Sequence, residues 1–267
     1  MALTQIIVLA IVQGITEFLP ISSSGHLILV PWVAGWADQG LMLDVAVHLG
    51  TLGAVTIYFW RDIFSMATGL LRLLRGRRDP GARLAGQVLV GTIPVLVGGY
   101  LFDLYLGDAV RSLEVIAWAT LGFGILLYVS DFMSMTVKRI DHSSYLDVII
   151  IGLAQVLALI PGTSRSGITI TAARFLGFER SEAARFSMLL SIPTIAASGL
   201  WLGLKLYKAD EVEMTQGVVT AAGLSFVTAI LSIAALMAWL NRSSFTPFVI
   251  YRVVLGVVLL AFAYGWI

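Results

Sequence analysis

Glu17, His26 and Arg165 lie in two polar stretches that interrupt a strongly apolar chain. The stretches are 13–26, QGITEFLPISSSGH, and 155–169, QVLALIPGTSRSGIT. Each runs from a Gln through apolar residues to a Pro, and then into a Ser-rich turn that contains Gly. Charged side chains at membrane depth are costly, and they persist there mainly where they line a cavity or take part in a reaction. The two stretches are therefore the candidate site.

The second stretch has the composition of an anion-binding turn. Pro161 and Gly162 turn the chain, and the backbone N–H groups at the start of the following helix are free to donate to an anion. Arg165 offers a planar fork that suits two phosphate oxygens. Hydroxyl donors are available from Ser164, Ser166 and Thr169. In the alternative interpretation, Ser164 only caps the helix and Arg165 extends to the membrane interface.

The first stretch carries groups that suit proton transfer or cation binding. Gln13 and Glu17 are four residues apart and share a helix face, where Glu17 could move a proton or bind Mg²⁺ or Ca²⁺ with Gln13 positioning the ion or a water. His26 could activate a hydroxyl of the preceding Ser22–Ser24 run or protonate a leaving oxygen. The alternatives are a neutral, buried Glu17, a His26 that only caps the turn, and serines that are helix caps.

Composition indicates an integral membrane protein. Mean hydropathy is +0.93, 58% of the residues are hydrophobic, and only 12% are charged, against about 25% in soluble domains. A net charge of +1 gives no reason to expect a nucleic-acid partner. Cysteine is absent and the three histidines are scattered, which excludes disulfides, thiolate nucleophiles and a histidine-built metal site.

The apolar segments predict an all-α polytopic fold with six transmembrane helices and two re-entrant helical hairpins. The hairpins are expected at 1–35 and 146–178, because Pro, Gly and polar residues interrupt both segments at mid-length. Uninterrupted segments are long enough to span a hydrocarbon core of about 30 Å. They are expected at 42–60, 85–102, 114–131, 186–203, 217–240 and 247–267.

The order of these segments predicts an internal repeat within one membrane domain, residues 1–267. Repeat 1 covers about 1–131, repeat 2 covers about 146–267, and each consists of a hairpin followed by three spans. The arginine-rich loop 61–83 is expected on the cytoplasmic side, and the more acidic loops 103–113 and 204–216 outside. The repeats then have opposite orientation, and such inverted repeats place a functional site near the midplane.

Two further polar residues lie within predicted spans. His48 follows Asp44 by four residues, a spacing that suits a pair on one helix face, and packing is the favoured interpretation. Arg252 lies in the last span, where it could reach the cytoplasmic interface or support the polar centre.

Both stretches resemble signatures of the bacterial undecaprenyl-diphosphate phosphatase family, also called the bacitracin-resistance family. Segment 14–27, GITEFLPISSSGHL, resembles the first signature, and segment 161–169, PGTSRSGIT, resembles the second. Segments 186–193, FSMLLSIP, and 247–252, PFVIYR, match recurrent stretches of the family. The similarity covers essentially the whole chain in order, and the two long signatures together are highly specific.

The resemblance implies an enzyme of the bacterial cytoplasmic (inner) membrane that removes the terminal phosphate of undecaprenyl diphosphate. The monophosphate product carries peptidoglycan and other envelope precursors, and the site is expected to open to the periplasmic side. A divalent cation, Mg or Ca, is expected from the resemblance. Matches to positions that the family uses are Glu17, Ser22, Ser23, His26, Ser164, Arg165 and Thr169. Gln13 departs from a pattern that often has Glu there, which puts a two-carboxylate metal site in doubt.

The resulting hypothesis assigns a role to each group of residues. Arg165 and the hairpin N–H groups hold the terminal phosphate, Ser23 or a water attacks it, and Glu17 and His26 handle protons or the cation. The further predicted phosphate ligands are the hydroxyls of Ser22, Ser164, Ser166 and Thr169. The polyprenyl tail stays in the lipid, and a homodimer is one assembly compatible with the sequence. An anion transporter or a polyprenyl-phosphate flippase is the alternative, because inverted hairpins with a helix-end anion site serve transport as well.

Overall fold

The structure is a computed structural model that describes residues 2–105, 112–133, 138–209 and 215–266. Within these ranges the chain forms α-helices and no β-strand. The helices are α1 Leu3–Thr16, α2 Ser23–Ala34, α3 Leu41–Tyr58, α4 Trp60–Leu74, α5 Pro80–Tyr105, α6 Leu113–Met133, α7 Tyr145–Val156, α8 Arg165–Phe175, α9 Arg180–Lys208, α10 Gln216–Leu240 and α11 Thr246–Ala263.

Six of these helices are long and apolar enough to cross a membrane: α3, α5, α6, α9, α10 and α11. Each overlaps one of the six predicted spans, so the prediction of an all-α, multi-pass membrane protein is confirmed. Helix α9 begins at Arg180, before its predicted span. Its first turns keep charged residues because those residues have partners: Arg185 forms ion pairs with Asp62 and Glu182.

Four of the five shorter helices form two pairs, α1 with α2 and α7 with α8, at the positions of the predicted hairpins. A turn at 17–22 separates the first pair, and a 3-10 turn at Leu157–Leu159 followed by residues 160–164 separates the second. Both second helices begin after a serine with a left-handed backbone, Ser22 at φ 74° and Ser164 at φ 71°. This agrees with the predicted hairpins, and their re-entrant position in a bilayer stays a prediction.

Packing between the halves of the chain is reciprocal. Helix α1 packs on α10, and its counterpart α7 packs on α5; likewise α3 packs on α10, and α9 packs on α5. The first hairpin helix of each half thus lies against the second long helix of the other half, as two intertwined repeats require. The approach of α7 to α5 is very close, since a Cβ added at Gly152 would lie 2.5 Å from the Gly91 carbonyl oxygen. The repeat boundaries themselves stay predictions.

Helix α4 differs from the sequence-based expectation, which treated 61–83 as a loop. Residues Trp60–Leu74 are helical, with basic Arg61 and Arg72 on a helix whose large apolar side chains Phe64, Leu71 and Leu74 are exposed. Apolar residues at helical spacing favour such a segment at a membrane surface. Most acidic residues of the predicted outer loops, 103–113 and 204–216, lie outside the described residues.

The orientation of the bundle can be tested with single cysteines, because the chain has none of its own. Arg77→Cys and Tyr105→Cys both replace exposed residues, one in the arginine-rich segment and one at the far end of α5. A membrane-impermeant maleimide applied to intact spheroplasts should label Tyr105→Cys, and should label Arg77→Cys only after the membrane is permeabilised. The reverse pattern would invert the predicted topology.

Candidate active site

The carboxylate of Glu17 joins the two polar stretches. Its Oε2 accepts hydrogen bonds from the Ser23 hydroxyl at 2.6 Å and from Gln13 Nε2 at 2.8 Å, and its Oε1 accepts from Arg165 Nη2 at 3.0 Å. Glu17 is buried, with 7% of its surface exposed. Residues 148 positions apart in sequence therefore meet at one carboxylate. We call these four residues, Gln13, Glu17, Ser23 and Arg165, the Glu17 cluster.

Local helix geometry places each member of the Glu17 cluster. Gln13 lies one turn before Glu17 at the end of α1, so both face the same way. Ser23 and Arg165 are the first residues of α2 and α8. The first N–H groups of a helix have no intrahelical acceptor and carry partial positive charge. Two helix N-termini thus begin beside one carboxylate, an arrangement that suits an anion.

Two buried polar atoms of the Glu17 cluster have no partner. Arg165 Nη1 donates to no acceptor, and Gln13 Oε1 accepts from no donor, although both atoms are buried. Buried polar groups are nearly always paired, so such atoms indicate a missing partner. A phosphate oxygen suits the free Arg165 N–H groups, and a cation or a water suits the free amide oxygen of Gln13.

Ser22 and Ser164 are helix caps. The Ser22 hydroxyl accepts from the Gly25 N–H at 3.4 Å, and the Ser164 hydroxyl accepts from the Gly167 N–H at 3.1 Å. Such caps typically stabilise a protein by about 1 kcal/mol. The same three-residue spacing and the same positive φ at both turns show that the two stretches fold alike locally.

Ser166 and Thr169 bind neighbouring parts of the fold. The Ser166 hydroxyl donates to the Leu19 carbonyl at 2.9 Å, which links the second turn to the first. The Thr169 hydroxyl donates to the Arg165 carbonyl at 2.8 Å and lies 2.7 Å from the Ser187 hydroxyl. The predicted role of these hydroxyls, and those of Ser22 and Ser164, in binding phosphate stays a prediction.

Arg252 holds the two turns together. Its side chain is fully buried and donates to the carbonyls of Gly162 at 3.0 Å, Thr163 at 2.9 Å and, more weakly, Pro20 at 3.4 Å. It also donates to the α6 carbonyls of Thr120 and Ala119. The sequence allowed Arg252 either to reach the cytoplasmic interface or to support the polar centre, and in the structure it supports the polar centre.

His26 bonds away from the Glu17 cluster. Its Nδ1 lies 2.7 Å from the Ser22 carbonyl oxygen, which can only accept, so Nδ1 carries a hydrogen. In the neutral ring, Nε2 then accepts from the Tyr251 hydroxyl at 2.5 Å. The two rings also stack, with centroids 5.7 Å apart. Sequence reasoning missed Tyr251, although its position beside Arg252 within a span was a usable signal.

His48 approaches the Glu17 cluster from α3. Its Nδ1 lies 2.7 Å from the Asp44 carbonyl oxygen, and its Nε2 is 3.8 Å from Glu17 Oε2. Packing was the expected role of this residue, whereas the structure places its imidazole within 3.8 Å of the Glu17 carboxylate. The sequence contained a signal for this contact, because a histidine inside a transmembrane span is costly unless it has a polar partner.

The oxygen ligands at Glu17 suit a cation that is bound jointly with substrate phosphates better than a metal site built from protein ligands alone. Among the residues that the structure describes, no group of three or more His, Cys, Asp or Glu could hold a metal ion. The cluster offers one carboxylate, which already accepts from three donors, and one free amide oxygen. Mg²⁺ is commonly held by one or two carboxylates together with substrate phosphates, and the cluster fits that mode.

Comparisons with known proteins cover nearly the whole chain. The model of a protein family described as bacitracin resistance protein BacA matches residues 6–258. Undecaprenyl-diphosphatase 1 of Rhodospirillum rubrum is 55% identical over 271 residues, which cover 99% of this chain and 96% of that protein. Undecaprenyl-diphosphatase of Ruegeria pomeroyi is 53% identical over 267 residues, covering 99% of this chain and 100% of that protein.

The support that Arg252 gives to the two turns can be tested with Arg252→Lys. Lysine keeps the charge but loses the planar fork, so several carbonyls lose their donor, at about 1–3 kcal/mol for each buried group left unpaired. We expect a clear loss of thermal stability in detergent, measured as Tm, and a loss of activity. Arg77→Lys, at an exposed position, is the control and should leave Tm unchanged. Equal Tm values for both variants would contradict the role of Arg252.

Proposed function

The chain belongs to the bacitracin resistance protein BacA family, and from this premise we propose that it hydrolyses undecaprenyl diphosphate to undecaprenyl phosphate and inorganic phosphate. Relatives that are 53–55% identical over almost their full length carry the name undecaprenyl-diphosphatase. The observation that carries the proposal is the Glu17 carboxylate, which binds a hydroxyl and a guanidinium at the same time. The proton acceptor Glu17, the nucleophile Ser23 and the phosphate-binding Arg165 are thus held together before the substrate binds.

Phosphate binding is assigned to Arg165 and the two helix N-termini. The ion pair with Glu17 fixes the guanidinium through Nη2, which leaves the unpartnered Nη1 to donate to the terminal phosphate. The first N–H groups of α2 and α8 add donors without side-chain rearrangement. Such preorganised donors stabilise the charge that develops on the phosphoryl group during transfer.

Ser23 is the proposed nucleophile. Its hydroxyl already donates to Glu17 Oε2, so its oxygen lone pairs are free to attack the terminal phosphorus while the proton passes to Glu17. The bond between the phosphorus and the bridging oxygen breaks, and undecaprenyl phosphate leaves. A water then hydrolyses the phosphoserine, releasing inorganic phosphate and restoring the hydroxyl. If a water attacks directly instead, Glu17 takes the proton of that water.

The proposal includes a divalent cation, Mg or Ca, bound jointly by the enzyme and the substrate. Glu17 and the free Oε1 of Gln13 are the protein oxygens available to it. When bound, the cation would neutralise charge on the diphosphate. Gln13 supplies a neutral oxygen, so this enzyme would contribute less charge to the cation than a relative with Glu at that position.

The proposed setting follows from the spans and from the lipid substrate. The six apolar helices make this a multi-pass membrane protein, and we place it in the bacterial inner membrane with the site opening to the periplasmic side. The polyprenyl tail would remain among lipid chains while its diphosphate reaches the Glu17 cluster. The product would return to peptidoglycan synthesis, and a role in bacitracin resistance fits the family description. A homodimer stays a prediction.

An anion transporter or a lipid flippase is less well supported. A pore for anions gains nothing from a buried carboxylate that competes for Arg165, whereas a hydrolase needs a proton acceptor beside its nucleophile. The deciding experiment is phosphate release from undecaprenyl diphosphate by purified protein in detergent, where transport cannot occur. Failure to release phosphate under any cation condition would contradict the proposed function.

Arg165→Lys tests the phosphate-binding role. Lysine preserves one charge but cannot pair with Glu17 and phosphate through separate nitrogens, so we expect kcat/KM to fall by about a hundredfold or more. Arg139→Lys, in an exposed ion pair, is the matched control and should behave as wild type. Phosphate release within threefold of wild type by a folded Arg165→Lys protein would remove Arg165 from the site.

Ser23→Ala tests the nucleophile. If Ser23 attacks, its loss should lower kcat by about a thousandfold or more. Ser24→Ala is the control, because Ser24 is an exposed neighbour whose hydroxyl faces Ser22 and not Glu17. A Ser23→Ala protein that keeps a tenth or more of wild-type kcat would identify a water as the attacking group.

A further inference from the structure

A cavity lies away from the Glu17 cluster, where α10 ends and α11 begins. Its volume is about 610 Å³, and it includes none of the residues of the Glu17 cluster. Its polar lining consists of Arg180, Arg242, Ser243, Ser244 and Thr246. Residues 241–246 contribute to its lining. They join the end of α10 to α11, and α10 begins after loop 204–216, which is expected outside, so they lie on the side predicted to be cytoplasmic, opposite the expected opening of the active site.

The cavity has an excess of positive charge. Asp131 is shared by Arg174, whose Nε is 3.0 Å from its Oδ1, and Arg180, whose Nε donates to the same oxygen at 2.8 Å. One carboxylate thus faces two guanidinium groups. Arg242 is exposed, and no acid pairs with it among the described residues. Of the described residues that line the cavity, two are arginines, Arg180 and Arg242, and none is acidic, which favours an anionic ligand.

Neutral donors surround the same space. Ser243 and Ser244 are half-buried in its wall, and the Ser244 hydroxyl donates to the Thr246 hydroxyl at 2.8 Å. Thr246 is the first residue of α11, and its N–H donates to the Ser244 hydroxyl at 3.3 Å, while the following Pro247 has no N–H, so the neutral donors here are the hydroxyls. Arginine forks together with hydroxyl groups are donors that suit phosphate.

The apolar part of the lining indicates the depth of the cavity in the membrane. Trp239 donates its indole N–H to the Ser244 carbonyl at 2.9 Å, while the residue as a whole is 44% exposed. Tryptophan with one polar and one apolar side is typical of the headgroup level. Ile250, on the next turn of α11, is 58% exposed and extends the apolar wall towards the bilayer core. A ligand with a phosphate and an acyl chain fits both parts, whereas free phosphate uses only one.

We propose that this cavity binds the phosphate headgroup of an anionic membrane lipid. Arg180 and Arg242 bind the phosphate, the serine and threonine hydroxyls complete its donors, and the lipid chain lies along Trp239 and Ile250. Such a lipid would tie the α10–α11 junction to one leaflet. Ile250, which lines the cavity, directly precedes Tyr251 on α11, and the Tyr251 hydroxyl bonds His26 Nε2.

The test uses the full chain in detergent and follows the emission of Trp239. The chain has seven tryptophans, so the Trp239 signal is the difference between wild type and Trp239→Phe. Short-chain phosphatidic acid should change this signal saturably, phosphatidylcholine of the same chain length should not, and inorganic phosphate should bind at least tenfold more weakly. Arg242→Gln should raise the Kd for phosphatidic acid at least tenfold. Arg77→Gln, an exposed arginine outside the cavity, should leave it unchanged.

Four results would overturn the proposal. Equal affinity for phosphatidylcholine would remove the role of the net negative charge of the headgroup, and equal affinity for inorganic phosphate would remove the role of the lipid chain. An unchanged Kd in Arg242→Gln would place binding elsewhere. The titration is repeated in Arg165→Ala, where the Trp239 signal should persist. Loss of the signal there would assign it to the active site, and hydrolysis is measured separately, so failure here does not bear on the proposed function.

Discussion

The structure depends on how the protein provides hydrogen-bond partners for backbone groups at the two places where helices are interrupted inside an apolar bundle. At each interruption, carbonyls lose their intrahelical partners, and lipid offers no replacement. The guanidinium of Arg252 donates the missing hydrogen bonds: it is fully buried and donates to carbonyls of both turns and of α6. Because the same side chain holds both turns, their relative position is fixed before any ligand binds.

The active-site arrangement follows from that fixed position. With the turns held together, the first residue of α2 and the first residue of α8 both contact Glu17. The carboxylate compensates the charge of Arg165 and keeps the Ser23 hydroxyl oriented. The cluster is nevertheless incomplete as a hydrogen-bonded network, since Arg165 Nη1 and Gln13 Oε1 lack partners. Substrate phosphate and a cation would supply them, which links the structural constraint to the proposed chemistry.

Local sequence rules predicted much of the fold. The six spans were recognisable because length and apolar composition alone determine which segments can cross a membrane. The interruptions were recognisable from Pro, Gly and Ser, whose backbone effects are local. Helix α4 was missed, because its arginines dominated the composition of 61–83 and concealed the helical spacing of its apolar residues.

The sequence by itself determined the composition of the site: Gln13 and Glu17 one turn apart, Ser23 and Arg165 beside their Ser-rich turns, and a membrane setting that makes such residues costly. Tertiary structure alone decided which of them meet. Glu17 contacts Arg165, whereas His26 is directed to Tyr251, and His48 comes within 3.8 Å of Glu17. The physical reason is that side-chain partners across 148 positions depend on helix packing and on where Arg252 places the two turns, and no local pattern encodes that geometry.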